Sequence, residues 1–126
     1  MNHKVLLTIT SLLSVLLLSF HLTEDIVRGF EAGKTFTYFG VLIMAVWLYA
    51  TLVLTERRSG YIIILLASLL GAYVPYIHMT GAGMVGGRIA ASSGKFFWVW
   101  TLLASGATTI VSAVLSAQGL WSLRRS

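Results

Sequence analysis

The chain is 126 residues long, 57% hydrophobic and only 10% charged, with a formal net charge of +5. A soluble domain carries roughly 25% charged residues, so this composition excludes a chain that clothes itself in polar surface and makes lipid its natural solvent. The basic residues cluster at the ends of apolar runs, as Lys4, Arg57 with Arg58, and Arg124 with Arg125, which reads as membrane anchoring and excludes nucleic acid as a partner. The chain has no cysteine, which removes disulfides, thiolate metal sites, iron–sulfur clusters and cysteine nucleophiles from consideration.

The first apolar run, Val5 to Phe20, follows Asn2-His3-Lys4 and resembles the core of a signal peptide. No small-x-small cleavage site follows it, so it reads as an uncleaved first span. Its sixteen or so residues cover only about 24 Å of a ~30 Å hydrocarbon layer, so the helix is expected to continue through His21, over about 4–27. Gly29 and Gly33 then end it.

A second span is expected over about 35–55, stopping at Glu56-Arg57-Arg58. The short turn around Ser59-Gly60 leads into a third, about 60–79, so spans two and three form an antiparallel hairpin. Pro75 is expected to kink or unwind the last turn of span three. The segment Thr80 to Gly94 is rich in glycine, alanine and serine and reads as an outer loop, flexible or re-entrant. Its glycine string lacks the strand and βαβ setting of a dinucleotide site. Span four, about 95–121, opens on Phe96-Phe97-Trp98-Val99-Trp100 and closes near Trp121, consistent with two interfacial aromatic belts.

The fold expected is therefore all-α: one integral membrane bundle of four transmembrane helices over residues 1–126. Lys4, Arg57, Arg58, Arg124 and Arg125 stand on one side, against Arg28, Lys34, Arg88 and Lys95 on the other. That balance predicts both termini in the cytoplasm, with the bacterial inner membrane as the expected location.

Small residues recur at helical spacing in span four, as Ala104, Thr108, Ser112 and Ser116, beside Ser105, Thr109, Ala113 and Ala117. Ala67 and Gly71 lie four apart in span three. Such faces let helix backbones approach closely and are read first as packing surfaces, with a hydroxyl-lined pore as the alternative. No charged side chain lies mid-span, where proton-coupled transporters and pumps carry theirs. Neither GxSxG nor HExxH occurs, so hydrolytic catalysis has no support.

One constellation carries possible chemistry. His21, Asp25 and Arg28 share a helix face, with Glu24 beside them. Alternating spans bring Tyr73, Tyr76, His78 and Met79 to the same side. His21, Asp25, His78 and Met79 form a donor set for a divalent metal such as zinc or copper. Alternatively, His21 and His78 are axial ligands of a haem b or a pigment, with Arg28 and Arg88 as partners of its propionates. A quinone or headgroup pocket of histidines and tyrosines is a third option. Against these stands an ion-paired helix end with a structural role only.

The leading functional reading is a non-enzymatic structural or accessory subunit. It packs against copies of itself or other membrane subunits through Gly71, Ala104, Thr108 and Ser112. The rival is a cofactor or metal site at the His21/His78 rim, and a weaker alternative is a transporter of a neutral or lipid-like solute.

Overall fold

In the computed structural model, which describes residues 1–30, 33–80, 89 and 92–126, the chain is built from four helices. They are α1 (His3–Arg28), α2 (Lys34–Val53), α3 (Arg58–Thr80) and α4 (Lys95–Arg125), each long and apolar enough to cross a membrane. The expected spans match these within a few residues. The largest difference is at the end of α4, where Ser122 to Arg125 continue the helix beyond Trp121.

Local sequence explains both ends of α1. Asn2 caps its start, accepting the Val5 N–H on its side-chain oxygen at 2.9 Å. Gly29 ends it in the left-handed conformation (φ 70°), which costs a residue with a side chain but is free to glycine. The amides of Gly29 and Phe30 then fold back onto the carbonyls of Ile26 and Asp25. This cap fixes the last turn of α1, and with it the direction in which the Asp25 side chain leaves the helix.

α4 packs against α3 and α1, while α2 lies outside them and rests on α1 and α3. Apolar side chains point outward on every helix, most densely on α2, where only Trp47, Ala50 and Thr51 are buried. α2 is therefore seated most deeply at its C-terminal end and makes shallower contact along its N-terminal half, where Gly40 lies against Leu22. Both termini lie at the end of the bundle that holds the α2–α3 turn. There Lys4 Nζ meets Glu56 Oε2 at 3.1 Å, and His3 Nε2 meets the Leu115 carbonyl at 2.9 Å.

The interior is unusually rich in hydroxyls. Ser11, Ser14, Ser68, Thr101, Ser105, Thr109, Ser112 and Ser116 are all essentially inaccessible. Most return their proton to a carbonyl of their own helix, as Thr109 does to Ser105 at 2.7 Å and Ser116 to Ser112 at 2.8 Å. Others bridge between helices. Ser68 bonds Ser112 at 3.0 Å, and Trp47 Nε1 donates to Ser11 Oγ at 2.7 Å, with Thr51 Oγ1 2.6 Å beyond. Among the described residues no buried side-chain polar atom lacks a partner. The hydroxyls therefore close helix contacts and give no support to a lined pore.

The small-residue faces are only partly taken up inside the chain. A side chain at Gly71 would begin 2.7 Å from Thr109 Cγ2 and 3.1 Å from Leu18 Cδ1, so three helices meet over that glycine. The buried stripe of α4 runs through Thr101, Ser105, Thr109, Ser112 and Ser116. Ser112 belongs to it, whereas Ala104 and Thr108 sit at its half-buried edge. Pro75 does not unwind α3, which continues to Thr80. Its ring is housed against Gly106, where an added Cβ would come within 3.0 Å of the proline Cγ.

Candidate metal centre

At the end of the bundle away from the termini, the last turns of α1 and α3 face the first turns of α4. One helical turn separates His21 from Asp25, and α3 delivers His78 opposite them. The Nε2 atoms of His21 and His78 lie 3.1 Å apart. Asp25 Oδ2 is 3.5 Å from the first and 3.6 Å from the second. His21 and Asp25 are buried, at 2% and 8% exposure, and His78 is half-buried.

α4 forms the back wall. The Trp98 indole stands 5.3 Å from the His21 ring and 5.2 Å from the His78 ring, centroid to centroid. Its Nε1–H donates to Asp25 Oδ1 at 3.0 Å, which leaves Oδ2 turned toward the two imidazoles. Thr101 donates its hydroxyl proton to the Trp98 carbonyl at 3.0 Å, and its oxygen faces His21 Nδ1 at a long 3.5 Å. With a proton on Nδ1, His21 presents a bare Nε2 to the cluster, the tautomer that ligates a metal.

The three donor distances decide what this arrangement could hold. Metal–donor bonds of ~2.0–2.1 Å in a tetrahedral zinc site imply donor–donor edges of about 3.3 Å. The edges here, 3.1, 3.5 and 3.6 Å, outline one face of such a tetrahedron. Two imidazoles and a carboxylate are also a donor type zinc accepts, with a fourth position left over.

A haem or pigment clamped between the histidines does not suit the same geometry. Trans ligation through one metal needs about 4 Å between the nitrogens, with the rings on opposite faces of a macrocycle. Here the rings meet edge-on at 4.9 Å, and the Asp25 carboxylate sits against both. Arg28 is also committed elsewhere. Its guanidinium binds Glu24 Oε2 at 2.6 Å, Ser92 Oγ at 2.8 Å and the Ser93 carbonyl at 2.7 Å, tying the end of α1 to the segment before α4. Arg88, its expected companion, lies outside the described residues. Met79 is exposed, as are Tyr73 and Tyr76, whose rings pack on each other at 5.5 Å.

His21, Asp25 and His78 are thus brought together as their spacing and topology predict. Trp98 and Thr101 are what the sequence reading misses. Trp98 was grouped with an interfacial belt, because a run of aromatics at a helix start does not reveal which ring turns inward.

Two clefts border the cluster on the side away from α4. One, about 240 Å³, runs between α1, α2 and α3 with His21 and Asp25 at its head and Leu18, Met44, Trp47 and Gly71 along it. The other, about 230 Å³, touches Asp25 and His78 and extends past Phe30, Phe36 and Ile77. No protein-family model, no curated protein and no solved structure matches this chain.

Proposed function

We propose that this chain is a multi-pass membrane protein that binds one divalent transition metal, zinc fitting best, through His21, Asp25 and His78. The observation that carries the reading is the triangle of donor atoms at 3.1–3.6 Å, drawn from two helices and braced by a third. The indole bond to Asp25 supports it, since it orients the ligand oxygen as an outer-shell partner does. Four apolar helices with outward-facing Leu, Ile, Val and Phe support membrane insertion. The cluster of Lys4, Arg57, Arg58, Arg124 and Arg125 supports a cytoplasmic position for both termini. The metal site then lies near the opposite face of what we take to be a bacterial inner membrane. This reading stands ahead of a purely structural subunit because two of the residues that would serve assembly, Gly71 and Ser112, are covered by the chain's own helices. It stands ahead of a transporter because the interior hydroxyls are bonded within the bundle.

The test is elemental analysis of protein purified in detergent after expression in zinc-supplemented medium. Near-stoichiometric zinc is expected in the wild type, and its loss in His21→Ala and His78→Ala variants whose helical circular dichroism is unchanged. Zinc content that is negligible in the wild type after reconstitution, or equal in wild type and variants, would reject the site.

A further inference from the structure

Resting on the metal reading, we infer that the cleft between α1, α2 and α3 binds a single acyl chain whose carboxylate takes the fourth position on the metal. The first support is electrostatic. A divalent ion held by one carboxylate and two neutral imidazoles keeps a net positive charge, in a site closed off from water on the α4 side. Glu24 cannot balance it, because its carboxylate is held by Arg28. A charge left uncompensated in such a place is costly, which favours an anion over neutral water in the fourth position.

The second support is the shape and lining of the approach. Trp98 and Thr101 cover the back of the cluster, so its open side faces α2. There the cleft leads away from His21 and Asp25 over a surface that is otherwise apolar. Small residues on α2 and α3 make the room. Gly40 brings no side chain between α2 and Leu22, and Ala67 keeps the α3 wall low. The partly exposed Ile43 and Leu70 line the same cleft, so it opens sideways between α2 and α3. At about 240 Å³ it exceeds the ~150 Å³ that accommodates a benzene ring in a protein interior, room for the part of the chain next to the carboxylate, with the remainder leaving through the side of the cleft. A polar end at the metal and an apolar remainder along α2 describe a fatty carboxylate more closely than a neutral alcohol or a bulky double-chain lipid.

The experiment uses stearic acid carrying a mid-chain diazirine, photolysed on zinc-loaded protein in phosphatidylcholine nanodiscs. Labelled peptides are mapped and zinc is measured on the same samples. Label is expected to concentrate around Ile43 to Trp47 and Leu70 to Val74, and to fall on the order of tenfold when zinc is removed. The same fall is expected in Gly40→Leu, which fills the cleft while leaving the three ligands in place and zinc bound. The corresponding diazirine alcohol should spread its label over the outward-facing helix surfaces. Zinc-replete protein that labels equally with acid and alcohol, or that keeps the cleft label in Gly40→Leu, overturns this inference and leaves the metal site standing. Protein that holds no zinc under any condition overturns both.

Discussion

Trp98 donates its indole N–H to Asp25 Oδ1 at 3.0 Å, joining α4 to α1 across 73 residues of chain. The bond takes one carboxylate oxygen out of play and aims the other at His21 and His78. It also satisfies an indole N–H that has only 3% of its residue's surface exposed. A single contact therefore serves both the packing of α4 and the orientation of the proposed ligand.

Trp98→Phe should keep most of the packing and lose only the hydrogen bond. Zinc affinity is expected to fall by about 10–100-fold, the usual consequence of losing an outer-shell partner. Competition with a chelating dye measures this directly. Unchanged affinity would show that Asp25 needs no orienting group.

Acidification should release the metal. Protons compete with it for His21 Nε2, His78 Nε2 and Asp25 Oδ2, so apparent affinity falls as pH falls. Asp25→Asn removes the charge but leaves an oxygen to accept from Trp98, and should weaken binding at every pH. Zinc titrations over a pH series in wild type and Asp25→Asn test both statements, and an affinity flat with pH would contradict ligation by imidazole.

Gly71→Leu is expected to destabilise the bundle. Its Cβ alone would approach Thr109 Cγ2 at 2.7 Å and Leu18 Cδ1 at 3.1 Å, and the remaining carbons of a leucine side chain would have to displace both side chains. Overpacking of this kind costs about 1–3 kcal/mol or more. The thermal midpoint of the purified protein should drop clearly. A midpoint within error of wild type would mean the three helices are less tightly joined at this point than described.

Ser11→Ala should leave the buried Trp47 N–H without an acceptor. The proton order is fixed by the chain of contacts. Thr51 donates to the Trp47 carbonyl at 2.9 Å, so Ser11 donates to Thr51 and accepts from the indole. An orphaned buried donor costs about 1–3 kcal/mol, so the single variant should melt lower. Adding Trp47→Phe removes the orphan and should recover part of the loss. A double variant simply as unstable as the sum of the two singles would argue against this account.

Much of the architecture was legible because hydrophobic length is a strong signal. Runs bounded by Gly29, by Glu56-Arg57-Arg58 and by Lys95 leave little choice of where helices begin and end. The convergence of His21, Asp25 and His78 was legible too, since i to i+4 spacing and alternating spans suffice for it. Rotation of helices about their axes was not. Whether α4 buries Ala104 and Thr108 or their neighbours Ser105 and Thr109 turns on a rotation of about 100° per residue. Small and hydroxyl residues on adjacent stripes do not distinguish the two. The same ambiguity concealed Trp98. That α3 runs on past Pro75 was not legible either, because the sequence shows the missing amide but not the space over Gly106 that receives the ring.

The helices that carry the proposed ligands are neither consecutive nor heavily packed on each other, since α2 and α4 supply most of what surrounds them. A chain threading into a bilayer in order presents His21 and Asp25 early and His78 only after the hairpin has turned. Trp98 and Thr101 follow later still. The proposed coordination sphere would be incomplete in a half-inserted chain, and its bracing would be missing until the fourth helix had docked. Metal capture would then mark the end of assembly, acting as a clasp closed over the finished bundle, and a zinc-starved cell would hold chains that are inserted but unlatched.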